Sequence, residues 1–188
     1  MLIGAMNHPQ RDVLQEIHEI AELGLQFVDL TLEPPAAASW RVNPEHIRRA
    51  LVTHDLKVVG HTAFYLPLAS PFEDIRRAAV DELKRCIDVF SAVGALWMNV
   101  HPDRLIPMHD RAFWVERNIQ SLRDIEPTAR RLGVGLMIEN LPEAYNSPET
   151  LAPFFDALPQ LGLHLDIGHA NLQSPHNMTA DLLAAFAG

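Results

Sequence analysis

The feature that most constrains this chain is a repeat of pattern: short apolar runs alternate with longer stretches of helical period. The runs are Leu2–Met6, Phe27–Leu32, Lys57–Ala63, Leu96–His101, Gly135–Glu139 and Leu161–Ile167. Several carry consecutive apolar residues, as in FVDLTL, KVVG and GLMIE, which suits strands buried on both faces of a parallel sheet. Between them lie the amphipathic segments Arg11–Leu23, Asn43–His54, Phe72–Val93, Asp110–Leu132 and Ser147–Leu158. Asn43 before Pro44 and Ser147 before Pro148 set a capping side chain ahead of a proline at the first helical position. Gly24, Gly94 and Gly133 follow helices where a left-handed residue is favoured. The order is strand then helix, repeated.

Such a repeat has two common solutions, an open doubly wound sheet and a closed eight-stranded barrel. No GxGxxG or GxxxxGK[ST] follows a strand, so the nucleotide-binding forms of the open sheet lose support. The expectation is therefore an α/β fold of the TIM (β/α)8 type. Eight units usually need about 250 residues, whereas the 188 residues here hold five strand–helix units, a sixth strand and the start of a sixth helix at Asn177–Ala187. With no internal linker or charge run, residues 1–188 read as one barrel domain with about six of its eight units, C-terminally incomplete.

Charge and composition narrow the function. Fifteen Lys and Arg against 24 Asp and Glu give a formal net charge of −9, which speaks against a nucleic acid or anionic membrane surface as partner. No apolar run reaches the roughly 20 residues of a spanning helix, and the first residues lack an export signal. A single cysteine, Cys86, excludes an intrachain disulfide or thiolate cluster. The expected setting is the cytoplasm.

The polar residues that break apolar strands at their C-terminal ends carry the chemistry, because a parallel barrel places its active site there. They recur on four consecutive strands: His61 in VVGHTAF, His101 in WMNVHPD, Glu139 in LMIEN, and Asp166 followed by His169 in LHLDIGHA. Neighbouring strands lie about 4.8 Å apart, so these side chains can converge. Imidazoles and carboxylates together are ligands for Zn²⁺, Mn²⁺, Mg²⁺ or Fe²⁺. Glu139 after Leu136, Met137 and Ile138 demands a cation or a strong hydrogen-bond network, because an unpaired buried charge is costly.

HTAFYLPLAS, NVHPD, MIEN and LDIGHA resemble the corresponding segments of the xylose isomerase-like TIM barrels, the superfamily of sugar isomerases and epimerases and of endonuclease IV-type AP endonucleases (AP endonuclease family 2). The most specific piece is the D-x-x-H of Asp166 and His169 paired with Glu139–Asn140. The resemblance implies that Glu139 and Asp166 are metal ligands, Glu139 also assisting proton transfer. It implies metal ligation by His61, His101 and His169 in the endonuclease manner, or substrate contact by His169 in the isomerase manner. The family also supplies a histidine after the seventh strand and a glutamate after the eighth, and the 188 residues stop before both.

Other histidines read differently. His18, His46 and His54 lie among charged helical residues, and His164 shares strand parity with Asp166 as a core residue. Trp40 and Tyr65 follow strands two and three, where a sugar-stacking platform would sit, and Trp97 and Trp114 read as packing residues.

The leading expectation is a metal-dependent isomerase or epimerase of a sugar or sugar phosphate, with Glu139 as catalytic carboxylate. The alternatives are an endonuclease IV-type metal-dependent phosphodiesterase, for which His61 and His101 speak, and an incomplete barrel acting as a non-catalytic module. Open strand edges would favour a homo-oligomer.

Overall fold

The computed structural model describes residues 1–104 and 106–186. Ala187, expected at the end of the sixth helix, lies outside them. Six parallel strands alternate with helices and follow one another in the order β1-β2-β3-β4-β5-β6. The α/β fold expected from the sequence is therefore present, with the strand order of a (β/α) barrel. The strands are β1 (Gly4–Met6), β2 (Phe27–Leu32), β3 (Lys57–Thr62), β4 (Trp97–Val100), β5 (Gly135–Glu139) and β6 (Gly162–His164). The helices are α1 (Val13–Glu22), α2 (Pro44–Thr53), α3 (Glu73–Val93), α4 (Arg111–Leu132), α5 (Pro148–Ala157) and α6 (Thr179–Phe186). No helix among the described residues is long and apolar enough to cross a membrane.

The described residues form two compact units, residues 1–63, 81–98 and 128–134 in the first and residues 64–80, 99–104, 106–127 and 135–186 in the second. In the first, β2 and β3 pair over six residues, from Phe27 opposite Lys57 to Leu32 opposite Thr62. Val28, Leu30, Leu83, Ile87, Phe90 and Met98 fill its core. Gly60 on β3 lies against the Phe90 ring of α3, where an added Cβ would meet ring carbons at 2.7 Å. The backbone therefore approaches a helix here as only glycine permits.

In the second unit, β5 and β6 pair with Met137 opposite Gly162, Ile138 opposite Leu163 and Glu139 opposite His164. Ile125, Ile138, Leu151, Phe154 and Leu182 form the core. Arg76, 2% exposed, donates to Ser121 Oγ (3.0 Å), Asp124 (2.7 Å) and Glu73 (2.8 Å), so a buried guanidinium is matched by carboxylates. The α5 helix begins as its sequence announces: Thr150 N–H donates to Ser147 Oγ, Ser147 N–H donates to Thr150 Oγ1, and Pro148 takes the first turn.

Four strands are shorter than their apolar runs, β3 by Ala63 alone. At β4 the ladder stops at Val100, and His101 is followed by Pro102, which has no N–H to continue it. At β1, Ile3 N–H donates to the Gln26 side chain (2.7 Å), so Leu2 and Ile3 precede the regular ladder. At β6 the strand stops at His164 and Asp166 stands beyond it, held by a side chain in place of a strand. Trp97, read as a packing residue, is 44% exposed.

Candidate metal centre

Strand parity sets the site in the second unit. Glu139 ends β5 and faces its cross-strand partner His164, while Asn99 and His101 share one parity on and just after β4. Glu139 is 4% exposed, so its charge needs partners close by. Asn99 Nδ2 donates to Glu139 Oε2 (2.8 Å), and His101 Nε2 lies 2.9 Å from the same oxygen. His164 Nδ1 is 3.4 Å from Oε2, and His169 Nδ1 is 3.3 Å from Oε1. One buried carboxylate is thus bordered by three imidazoles and an amide.

Asp166 and His169 owe their proximity to a local turn. His169 N–H donates to Asp166 Oδ1 (2.8 Å) and Ala170 N–H donates to Asp166 O (3.0 Å), so the aspartate opens the short 3₁₀ helix His169–Asn171. Three-residue spacing brings His169 Nδ1 to 3.5 Å from Asp166 Oδ2 and 2.9 Å from Asn140 O. Asn146 Nδ2 donates to His169 O (2.8 Å) and Leu172 O (3.2 Å), tying the turn to the loop after β5.

Each of Glu139, Asp166 and His169 offers a ligand atom, and these atoms lie within 4.8 Å of one another. Donors at about 2.2 Å from one ion are at most about 4.4 Å apart. Three donors cannot all lie opposite one another and stand about 3–4 Å apart around one ion, so two carboxylates and an imidazole within 4.8 Å need to close by up to about 1 Å to share a first-row divalent ion. The residues present fit a metal.

The loop after β4 is buttressed beside this cluster. Asp103 N–H donates to Asn118 Oδ1 (2.9 Å), Asn118 Nδ2 donates to Asp103 O (2.8 Å), and Tyr145 Oη donates to the same carbonyl (3.1 Å). Burial pushes the Tyr145 phenol up to about 12, which keeps it a donor. Burial also pushes the Asp103 carboxyl up, against the N–H of Ala69 at 3.2 Å. Phe64, 69% exposed, presents its ring edge-on to His101 at 6.4 Å and to Tyr65 at 5.3 Å.

Among the residues singled out in the sequence, His101, Glu139, Asp166 and His169 come together in the second unit. His61 belongs to the first unit, where its Nδ1 lies 3.0 Å from Asp29 Oδ2 on β2. Trp40 is an exposed residue of that unit. Asn99, Asn140, Asn146 and Phe64 received no role from the sequence, and His164 was read as core; Asn99 had a signal, an amide two residues before His101 inside an apolar run.

Residues 17–187 match the family described as xylose isomerase-like TIM barrel. The chain belongs to that family. A stretch of 125 residues, 64% of this chain, is 29% identical to an uncharacterized protein of Methanocaldococcus jannaschii and covers 49% of it. The chain thus spans about half the length of the curated relative it matches. Among solved structures it is similar to a D-tagatose 3-epimerase-like protein, at 21% identity and a TM-score of 0.87 over 100% of this chain and 73% of that one. It is similar to the 3-keto-D-glucoside 4-epimerase YcjR of E. coli, at 19% identity and a TM-score of 0.82 over 100% and 75%. A D-psicose 3-epimerase gives 16% identity and a TM-score of 0.76 over 92% and 66%. These likenesses concern the fold.

Proposed function

We propose that this chain carries the metal-binding half-site of an epimerase or isomerase acting on a small sugar or sugar phosphate. The observation that carries the reading is the buried Glu139 carboxylate at the end of β5, with donor atoms of Asp166 and His169 within 4.8 Å. The names of the similar structures, epimerases of D-tagatose type, of D-psicose and of a 3-keto-glucoside, support a ketose as the substrate class. Glu139, Asp166 and His169 would hold the ion. His101 borders the Glu139 carboxylate, and the family resemblance speaks for His61 as a further ligand.

A divalent ion bound there supplies polarisation of a carbonyl and its neighbouring hydroxyl, which lowers the cost of an enediolate-like state. Glu139 is the proton carrier on one face: it takes a proton from the carbon next to the carbonyl, and either returns it to the neighbouring carbon, which isomerises the sugar, or leaves solvent water to deliver a proton on the opposite face, which inverts the carbon. Asn99 holds the carboxylate in one orientation through its 2.8 Å bond to Oε2, which preorganises the base at no cost during reaction. His164 and His169 border the two oxygens of the same carboxylate and restrict where substrate hydroxyls meet it. Phe64 and Tyr65 supply an exposed apolar edge on the His101 side, suited to a sugar's C–H face. The expected cellular setting remains the cytoplasm, and self-association of the chain remains part of the proposal.

Incubation of the chain with Mn²⁺ and D-tagatose, D-psicose or D-fructose in D₂O tests the reading. Epimer formation with deuterium at the inverted carbon is expected, reduced about 10²–10⁴-fold in Glu139→Gln. Absence of both turnover and deuterium incorporation across sugars and their phosphates would overturn it. The second reading, an endonuclease IV-type phosphodiesterase, rests on His101 beside Glu139. Incision of abasic-site DNA abolished by His101→Ala would carry it, against a net charge of −9.

A further inference from the structure

Two strand ends in this chain carry the same device. At the end of β1, Met6 pairs with Asp29, and the next residue, Asn7, gives its amide to Thr31, two residues beyond Asp29. Thr31 N–H donates to Asn7 Oδ1 (2.7 Å) and Asn7 Nδ2 donates to Thr31 O (3.2 Å). At the end of β5, Glu139 pairs with His164, and the next residue, Asn140, gives its amide to Asp166, two residues beyond His164. Asp166 N–H donates to Asn140 Oδ1 (2.7 Å) and Asn140 Nδ2 donates to Asp166 O (3.0 Å). Both asparagines have 0% exposure.

A primary amide offers one N–H and one C=O in the plane and spacing of a peptide group, so it can replace the next peptide of a parallel ladder. Aspartate lacks the donor, serine lacks the second group, and glutamine is longer by a methylene. The two clasps differ in what they hold. Thr31 is a paired residue inside β2. Asp166 lies beyond the last residue of β6 and carries a carboxylate of the candidate centre.

We propose that Asn140 is the positioning residue of that centre. Acting as one added peptide on the β5–β6 ladder, it fixes the backbone of Asp166 and hence the direction in which the Asp166 carboxylate meets Glu139. Asn140 O, 2.9 Å from His169 Nδ1, borders the imidazole as well. The inference deepens the metal-site reading above and rests on it.

Cobalt(II) titration of the wild type, Asn140→Ala and Asn7→Ala, read by visible absorption and binding isotherm beside thermal melting, separates positioning from stability. Both variants lose a buried reciprocal pair and melt earlier, so Asn7→Ala is the internal control. Asn140→Ala is expected to bind Co²⁺ about 10–100-fold more weakly, with an altered absorption band. Asn7→Ala keeps the wild-type band and an affinity within about twofold, because the Thr31 it clasps is none of Glu139, Asp166 and His169 and bonds to none of them through this pair. Wild-type affinity and band in Asn140→Ala, or equal loss in Asn7→Ala, overturns the proposal. Should Asn140→Ala not fold, Asn146→Ala decides, because Asn146 Oδ1 accepts from Asn140 Nδ2 at 3.1 Å and so steadies the clasp. A weakened site with a changed band is expected there, and an unchanged one overturns the proposal. A folded wild type that takes up no Co²⁺ removes the metal reading and this inference together, whereas wild-type uptake with an indifferent Asn140→Ala removes the inference alone.

Discussion

Glu139 concentrates polar partners because its strand would otherwise reject its charge. A carboxylate on a buried strand is tolerated only with partners, and Asn99, His101, His164 and His169 supply them. Asn99→Ala leaves Oε2 without its amide, and a loss of about 1–3 kcal/mol is expected in urea unfolding at neutral pH. Gly60→Ala is expected to cost about 1–3 kcal/mol by driving a methyl into the Phe90 ring; a stability equal to wild type would show that the ring has room to move. The clustering of Glu139, Asp166 and His169 was legible in the sequence, because a charge after three apolar residues and a D-x-x-H after a strand are local signals; their roles as ligands belong to the proposal. Asn140 and His164 were not legible, since an amide that mimics a peptide and an imidazole that faces a carboxylate are defined only by the residue across the ladder.

Element boundaries show the same division. The β2 and β5 spans follow their apolar runs, but β4 stops before Pro102 and β6 stops where the Asn140 side chain takes over the ladder. Such side-chain substitutions for backbone pairing leave no trace in periodicity. The start of α5 was legible, because Ser147 and Pro148 announce it. Ser147→Ala is expected to lower stability by about 1 kcal/mol, seen as an earlier thermal midpoint. Between α3 and α4, hydrogen bonds from Arg76 and then Arg117 hold the Glu73 carboxyl well below its ordinary 4.5. A depressed folded pKa contributes stability above the unfolded value and loses it as pH falls through the folded value. The stability gap between wild type and Glu73→Gln is therefore expected to be constant above about pH 5 and to shrink only in stronger acid; a gap that grows on acidification would contradict the assignment.

The strand order begins with β1 and ends with β6, and Leu2 and Ile3 before β1 and Met6 at its end are exposed. Exposed apolar edge strands pair with further chain, so the 188-residue chain on its own is expected to exceed its 21.1 kDa mass in light scattering. Ile3→Lys is expected to move it toward the monomer. The whole-molecule pattern of alternating strand and helix was the most legible feature, because it is written in apolar runs throughout the sequence. Tyr65 was legible as a stacking candidate beyond β3, whereas Phe64 was not, because its edge-on approach to His101 is set only by the fold. The most direct test of the account is calorimetric titration of the chain with Mn²⁺ or Zn²⁺. About one equivalent bound per chain, lost in both Glu139→Gln and Asp166→Asn while the variants stay folded, is the predicted result. Binding that persists in both variants, or no binding by the folded wild type, would contradict it.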